Sequence, residues 1–325
     1  MHLLRRLLAK LAGIAFSIFV IATINFTLVH TAPGDPALVI AGQSGATDAK
    51  FIEQVRAEYG LDKPFLVQLG TYLGKVAQLD LGYSHRQHRP VRDLILERLG
   101  PTLLLMFSAF FLSLVGGVAF GALSGRRQGT WSDLAISLVS LLLYATPVFW
   151  LGLMLILVFS IQFEWLPAFG YANIHAAGYG TFEYALDVAG HLILPAITLS
   201  AIYMAVYTRL MRSSLIEVQN EDHVRTARAK GLTEAAILRR HMLRNAAVPV
   251  VTFAGLQAGA LIGGSVVVET VFAWPGLGRL TFDAVTARDY PVLLGLFLVT
   301  SILVIAVNLL TDLMHRLVDP RVAAR

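Results

Sequence analysis

The segment from residue 209 to 245 concentrates the ionisable side chains that could bind a partner. It contains eight Lys and Arg residues within 37 positions. The residues from Glu217 to Lys230 are polar and are good helix formers, Gly231 suits a left-handed helix end, and Thr233 can cap a second helix. We therefore predict a helix, a break and a second helix, an arrangement suited to docking. The alternative is a basic loop that only sets the membrane topology.

The sequence lacks several motifs that are typical of enzymes and metal sites. The chain has no cysteine, which excludes disulfides, thiolate metal sites and cysteine nucleophiles. It has no GxxxxGK[ST] loop to cradle ATP phosphates, and neither G-x-S-x-G nor H-E-x-x-H for hydrolysis. His85 and His88 are three residues apart without a third ligand nearby, so we expect a solvated loop there. We predict neither an enzyme nor a resident metal or cofactor.

The composition shows which elements must position these residues. Of the 325 residues, 56% are hydrophobic and 14% are charged, and the mean hydropathy is +0.66, whereas soluble domains are about 25% charged. Six runs without Asp, Glu, Lys or Arg each reach the roughly 20 residues that cross a bilayer. We predict an all-α polytopic membrane protein with six transmembrane helices. The runs are Leu11–Val29, Pro101–Ser124, Leu134–Phe163, Val188–Thr208, Ala246–Val268 and Tyr290–Thr311.

Two interpretations fit the first run, because its basic start is typical of both a cleaved signal peptide and a signal anchor. Its apolar stretch is long and no A-x-A site follows, which favours an uncleaved anchor. Of the 26 basic residues, 16 lie in segments 1–10, 125–133, 209–245 and after Asp312. This bias predicts that both termini lie in the cytoplasm. The basic segments then lie beside anionic membrane lipids, which accounts for the net charge of +5 without a nucleic-acid partner.

Glycine and proline positions within the runs predict how the helices pack. Gly117 and Gly121 would let a second helix approach closely, as would a stripe of Gly255, Gly259 and Gly263. Pro147 and Pro195 lie inside their runs and should kink the helices or leave carbonyl groups free. Between the first two runs, we predict short helices over Phe51–Tyr59 and Phe65–Leu79.

Several sequence blocks with collinear spacing resemble the permeases of bacterial ABC importers, in the dipeptide/oligopeptide/nickel group. The cytoplasmic segment resembles the EAA loop of that family. The blocks are HVRTARAKGL at 223–232, RHMLRNAAVPVVT at 240–252, PGDP at 33–36, YGLDKPF at 59–65, GGSVVVETVFAWPGLGRL at 263–280 and RDYP at 288–291.

The resemblance implies a type I importer permease in the bacterial inner membrane. The implied partners are a sister permease, which would form a heterodimer with this chain, two ATPase subunits that bind ATP and Mg, and a periplasmic substrate-binding protein. The implied organisation is a first helix at 1–30, a periplasmic segment at 31–98, a core at 99–316 that includes the coupling loop 209–245, and a tail at 317–325.

The resemblance also implies that the residues around Glu221 to Gly231 form the helix that couples to the ATPases. In this chain Arg225, Thr226 and Ala227 replace the acidic-Ala-Ala core of the family, and His223 replaces an aromatic residue. The predicted coupling residues are Asp222, Arg225, Ala227, Lys230 and Gly231. The predicted pathway residues, chosen as polar residues of the inner spans, are Tyr203, Tyr207, Gln257, Ser265 and Asn308.

The leading functional hypothesis is import of small peptides, driven by ATP hydrolysis in the partner subunits. Import of nickel, glutathione or another small solute, such as a sugar derivative, stays open, because specificity is expected mainly in the binding protein. The other classes considered are a self-sufficient secondary transporter or channel and a membrane scaffold. An ion site with broken helices around it would favour the transporter.

Overall fold

The computed structural model describes residues 2–31, 38, 49–59 and 62–318. The PGDP block at 33–36, part of the YGLDKPF block and most of the predicted tail lie outside these ranges. The first helices are α1 (His2–Thr31), α2 (Ala49–Tyr59), α3 (Phe65–Ala77), α4 (Val91–Arg126), α5 (Trp131–Ala145) and α6 (Val148–Leu155), with a π-helical extension Ile156–Gln162.

The later helices begin after a short 3-10 turn, Ile174–Gly178. They are α7 (Thr181–Val218), α8 (Asp222–Ala229), α9 (Glu234–Ile237), a π-helical turn Leu238–Met242, α10 (Leu243–Gln257), α11 (Ala260–Val271), α12 (Leu277–Ala287) and α13 (Tyr290–Val318). Two short strands, β1 (Tyr83–Ser84) and β2 (Arg89–Pro90), form an antiparallel hairpin in which Tyr83 pairs with Pro90.

Helices long and apolar enough to cross a membrane coincide with the predicted spans. Within the described ranges, three helices qualify alone, namely α4, α7 and the first 22 residues of α13. Two bent pairs also qualify, α5 with α6 and its extension, and the segment Glu234–Gln257 with α11, which gives up to five spans. The remaining predicted span, Leu11–Val29, falls on α1. The apolar part of that helix, Ala12–Leu28, is shorter than the 18 residues that the other spans reach.

The helices extend beyond the charge-free runs from which the spans were predicted. Helix α4 begins at Val91 rather than Pro101, and α7 covers 38 residues rather than Val188–Thr208. Charged side chains end an apolar run but do not end a helix, since they can remain helical in water. Both Pro101 and Pro195 therefore lie inside continuous helices.

One of the two bends lies at a proline. Thr146 is extended, with φ −80° and ψ 128°, because a proline disfavours the helical conformation in the preceding residue. The chain turns there by 110°, so the kink predicted at Pro147 is confirmed as a break.

The predicted stripe of Gly255, Gly259 and Gly263 is wrong. A bend of 66° separates α10 from α11, so these residues do not share one helix face, and a Cβ on Gly263 would meet nothing within 4 Å.

The close helix contact predicted at Gly117 and Gly121 is confirmed. A Cβ on Gly121 would lie 2.5 Å from the carbonyl oxygen of Thr208, and one on Gly117 would overlap the Cβ of Tyr207. Because these neighbours belong to the α7 backbone or lie next to it, they cannot move aside. Glycine thus sets the distance between α4 and α7.

The chain divides into two compact units. The first comprises residues 1–100 and 276–306, and the second comprises 101–275 and 307–325. The core of the first unit is formed by the start of α4, by α12 and by the first half of α13. Its buried residues are Val91, Leu94, Ile95, Leu277, Leu280, Ala284, Val292, Leu293 and Leu296.

The core of the second unit extends from α7 through α8 to α10, and we call it the loop cluster. Its buried residues are Tyr207, Met211, Leu215, Val218, Val224, Ala227, Ile237, Met242, Ala246, Val250 and Ala254. Elsewhere in this unit the fully buried Glu269 accepts a hydrogen bond of 2.8 Å from the Thr102 hydroxyl. The Trp274 ring nitrogen donates to the carbonyl oxygen of Pro101 at 3.0 Å.

Candidate functional site

The segment between α7 and α10 has the predicted helix, break and helix. Helix α8 ends in a Schellman motif, in which the Gly231 N–H donates to the Arg228 carbonyl at 2.9 Å and the Leu232 N–H donates to the Ala227 carbonyl at 3.3 Å. Gly231 has φ +75°, where a side chain would be strained. Thr233 Oγ1 accepts a hydrogen bond from the Ala236 N–H at 3.3 Å, so it caps α9 as predicted.

Helix α8 has a buried face and a charged, exposed face. Val224 and Ala227 are buried in the loop cluster and hold α8 against this chain. Asp222 and Arg225 lie on the exposed face, with side chains 98% and 69% accessible, and are 3.6 Å apart. Of the predicted coupling residues, Ala227 therefore seats the helix, whereas Asp222 and Arg225 are available to a partner.

An exposed ion pair crosses the break between α8 and α9. The Arg228 Nε atom lies 2.9 Å from the Glu234 carboxylate. This hydrogen bond lowers the pKa of Glu234 below its ordinary value and raises the pKa of Arg228 above its own. The exposed Lys230 and Gly231 lie within the break that this pair spans.

His223 connects the start of α8 to α10. Its Nδ1 atom lies 3.0 Å from the Glu221 carboxylate, and its Nε2 atom lies 3.1 Å from the Asn245 side-chain nitrogen. Asn245 also donates to the His241 carbonyl, at 2.9 Å. In the tautomer with the proton on Nδ1, His223 donates to Glu221 and accepts from Asn245. His223 is thus an intramolecular link between the start of α8 and α10.

A buried ion pair, absent from the sequence predictions, fixes the turn between α4 and α5 to α7. The Asp133 side chain is 7% exposed and accepts hydrogen bonds from Arg212 Nε at 2.7 Å and Nη2 at 2.8 Å. The Ser124 hydroxyl donates to it at 2.5 Å, and the Gly129 N–H donates at 2.9 Å. Since Asp133 and Arg212 are 79 positions apart, the sequence gives no signal that they pair.

The predicted pathway residues have different environments. Tyr207 is buried in the loop cluster, and Tyr203 packs against the same cluster. Ser265 is buried and donates to the Ile262 carbonyl of its own helix at 2.9 Å. Gln257 is half-buried at the end of α10, and Asn308 is exposed on α13. The structure thus brings the two tyrosines together in a packed interior.

Models of two related families match nearly the whole chain. One is the binding-protein-dependent transport system inner membrane component, over residues 117–324. The other is the N-terminal membrane component of the same systems, over residues 3–106. The chain belongs to the family of binding-protein-dependent transport system inner membrane components. It is therefore an inner-membrane permease subunit of an ABC importer, and ATP hydrolysis takes place in a separate subunit.

Curated relatives match over almost their full length. The chain is 40% identical over 320 residues to the glutathione transport system permease protein GsiC of an Escherichia coli O6:H1 strain, covering 98% of this chain and 99% of the relative. The GsiC protein of Shigella flexneri serotype 5b is 39% identical over the same shares. Membership of the family implies ATPase and binding-protein partners and excludes the self-sufficient transporter and the scaffold.

Solved structures support the fold. The methionine ABC transporter MetNI in an inward-facing conformation matches with a TM-score of 0.55 at 20% identity, over 70% of this chain and 96% of that chain. An amino acid ABC transporter crystallised with histidines matches with a TM-score of 0.50 at 20% identity, over 69% and 94%. The predicted all-α, type I importer permease fold is confirmed.

Proposed function

We propose that this permease forms half of a translocation pathway for small peptides, and that glutathione is the first cargo to test. The support for this cargo is the 40% identity, across 98% of the chain, to a permease named for glutathione transport. Glutathione is itself a tripeptide, so the proposal lies within the peptide class predicted from the sequence. Dipeptides and longer oligopeptides are the other members of that class.

The proposed contact with the ATPase is the exposed face of α8. Asp222, Arg225 and Lys230 present charges there, and Val224 and Ala227 fix the helix from beneath. A partner that moves this face would move α7 and α10 with it, because all three helices share the loop cluster. The Asp133–Arg212 pair extends the same connection to the turn after α4. ATP-driven closure of the partners would thereby become a displacement of membrane helices.

The second half of the pathway is proposed to be a sister permease of different sequence. In this arrangement two permeases and two ATPases form the membrane complex, and a periplasmic binding protein delivers the cargo. The segment 31–98, with the hairpin of β1 and β2, is proposed to lie on the periplasmic side. The coupling loop 209–245 and the C-terminal tail are proposed to lie on the cytoplasmic side.

The cargo is tested with the complex purified through an affinity tag on this chain and reconstituted in liposomes with its binding protein. Uptake of labelled glutathione, a dipeptide, an oligopeptide and nickel is compared with and without ATP. We expect ATP-dependent uptake of glutathione or of a small peptide. Uptake of nickel alone, or equal uptake without ATP, would contradict the proposal.

The coupling surface is tested with Arg225→Glu and Gly231→Pro in the same preparation. Both changes should reduce ATP-dependent uptake and ATPase copurification while the permease remains inserted in the membrane. Arg92→Glu, an exposed reversal of the same charge in the first turn of α4, is the matched control. Equal uptake in all variants would contradict the assignment of α8.

A further inference from the structure

Helix α3 is apolar, although the structure buries none of its residues. All 13 of them, Phe65–Ala77, are described, and none is buried. Lys75 is the only charged residue in the helix. Leu66 is 76% exposed, and Val67 is also exposed. In a segment proposed to lie outside the membrane, a helix with this composition needs an apolar surface to contact.

One side of α3 packs on the C-terminal part of α1, within the first unit. The ring of the buried Phe26 lies 5.2 Å from the Tyr72 ring and 5.6 Å from the Phe65 ring, measured between centroids. Phe26 belongs to the apolar stretch of α1, Ala12–Leu28. Helix α3 therefore lies at the level of the end of that stretch.

The exposed surface of α3 divides into an apolar strip and a polar edge. We call the apolar part the α3 strip, and it comprises Leu66, Val67, Gly70, Gly74 and Ala77. A Cβ on Gly70 or Gly74 would meet no atom of the described residues within 4 Å. Lys75 follows Leu66 by about two and a half helical turns, so it lies on the opposite side of the helix, next to Thr71.

Two polar side chains of α3 are hydrogen-bonded within the chain. The Gln68 amide donates to the Lys63 carbonyl at 2.8 Å, and its Oε1 atom lies 3.0 Å from His30 Nε2. The Thr71 hydroxyl donates to the Val67 carbonyl of its own helix at 2.9 Å. Because these groups already have partners, placing the helix against lipid costs less than it would with unpaired polar groups.

The apolar stretch of α1 is short for a span. Its 17 residues cover about 25 Å along the helix, whereas the hydrocarbon core of a bilayer is about 30 Å thick. A span that is too short must thin the bilayer locally or find another way to match it. Ile24 and Leu28 of α1 are exposed, so lipid covers them if α1 spans the membrane, and α3 lies at the same level. Helix α3 thus supplies apolar surface where α1 ends.

We propose that α3 lies in the periplasmic interface of the inner membrane, with the α3 strip against phospholipid acyl chains and Lys75 on the side of the headgroups. This inference rests on the proposed function, in which α1 is the first span and the segment 31–98 is periplasmic. Amphipathic helices of this kind bury their apolar face by about 5–10 Å at the boundary between headgroups and acyl chains. The contact anchors the periplasmic segment to the bilayer surface.

The test uses the complete complex in nanodiscs of phosphatidylethanolamine and phosphatidylglycerol. A single cysteine is placed in the cysteine-free permease and labelled with an environment-sensitive fluorophore, after the cysteines of the other subunits have been replaced. Leu66→Cys reports on the α3 strip, and Lys75→Cys, on the opposite side of the same helix, is the matched control. Quenching by phospholipids with brominated acyl chains is compared with quenching by aqueous iodide.

We expect brominated lipid to quench Leu66→Cys about twofold or more strongly than Lys75→Cys, and iodide to show the reverse order. Val67→Asp should lower the lipid quenching of Leu66→Cys, because a charge in the α3 strip disfavours contact with acyl chains. Equal lipid quenching at the two positions would overturn the proposal. Protection of Leu66→Cys from both quenchers would also overturn it, since another protein subunit would then cover the α3 strip.

Peptide uptake by the wild-type complex, measured in parallel, separates this inference from the proposed cargo. If lipid quenches Leu66→Cys but the wild-type complex takes up no peptide, the cargo proposal fails and the membrane contact of α3 stands. If uptake is normal and iodide quenches Leu66→Cys more strongly than Lys75→Cys, only the assignment of α3 fails.

Discussion

The coupling loop and the hairpin of β1 and β2 are held to their neighbouring helices in opposite ways. In the coupling loop, α8 lies on the apolar loop cluster and its charged side chains are at the surface. The hairpin is held by a buried polar contact, in which the Ser84 hydroxyl donates to the Asp289 carboxylate at 2.5 Å. The first attachment is apolar, and the second is a hydrogen bond between buried groups.

The type of contact determines how far each region can move relative to its neighbours. An apolar cluster lets α8 move as part of a larger body, because dispersion contacts have little directional preference. A hydrogen bond between two buried groups fixes direction as well as distance, so the hairpin cannot slide along α12 without exposing an unpaired carboxylate. The coupling loop is therefore suited to transmit motion, and the hairpin is suited to keep its position against the end of α12.

The largest expected effect comes from breaking the ion pair between Arg212 and the buried Asp133. Asp133→Asn leaves Arg212 without its anion and should destabilise the permease by about 3 kcal/mol. This value is at the lower end of the range of about 3–5 kcal/mol for breaking a buried ion pair, because 31% of the Arg212 side chain is exposed. The measurement is the temperature at which half of the detergent-solubilised permease remains monodisperse.

Asp93→Asn is the matched control for this change. Asp93 also lies in the first turn of a helix, but it is exposed, so its loss removes only a favourable interaction with the helix dipole of about 0.3–1 kcal/mol. If the two variants unfold at the same temperature, the Asp133–Arg212 pair does not stabilise the second unit.

A smaller effect is expected from adding a methyl group at the helix contacts of the two units. Gly121→Ala would place its Cβ 2.5 Å from the Thr208 carbonyl oxygen of the α7 backbone and should cost about 2 kcal/mol. Gly295→Ala in the first unit meets side-chain atoms, Val91 Cγ1 at 2.7 Å and Ile95 Cδ1 at 3.2 Å, which can shift.

The helix-forming preference of alanine over glycine, about 1 kcal/mol, offsets much of that second cost. Gly295→Ala should therefore lie within about 1 kcal/mol of the wild type. The same thermal measurement applies to both variants. A Gly295→Ala variant less stable than Gly121→Ala would reverse the ranking of the two contacts.

The smallest effect concerns the exposed Arg228–Glu234 pair. Because the pKa of Glu234 is lowered in the folded protein, its stabilising contribution is complete above the ordinary carboxyl pKa of 4.5 and is lost as the pH falls through the lowered value. Arg228 remains charged throughout, since its pKa is raised. The thermal stability of the wild type should thus fall more between about pH 5 and pH 3 than that of Glu234→Gln.

Glu183→Gln, which changes an exposed glutamate in the first turn of α7, is the control for this pH experiment. It should retain the pH dependence of the wild type. An unchanged pH dependence in Glu234→Gln as well would show that the pair does not contribute to stability.

Much of the fold could be predicted from local sequence. Charge-free runs place the spans because a charged residue in hydrocarbon is costly wherever it occurs, and Pro147 and Gly231 act on the backbone within one or two residues. The bend between α10 and α11 could not be predicted, because the glycines there fit both a packing stripe and a break.

The supporting contacts of the candidate site are less predictable, because they join residues that are distant in the sequence. Asp133 and Arg212 are 79 positions apart, and Ser84 and Asp289 are 205 apart. Charge and residue type mark each of these side chains as polar, but only the packing of the helices brings the partners together. Ala227 shows the same limit, since its place in the coupling motif does not reveal that it is buried.

The most direct test of the coupling surface is site-specific cross-linking, which is straightforward because the chain has no cysteine. Arg225→Cys on α8 and Glu183→Cys at the opposite end of α7 are each placed in the tagged permease and treated with a short thiol-to-amine cross-linker in the intact complex. We expect an adduct between Arg225→Cys and an ATPase subunit, and none from Glu183→Cys. An Arg225→Cys complex that retains its ATPase subunits but forms no adduct with them would contradict the assignment of α8 as the coupling helix.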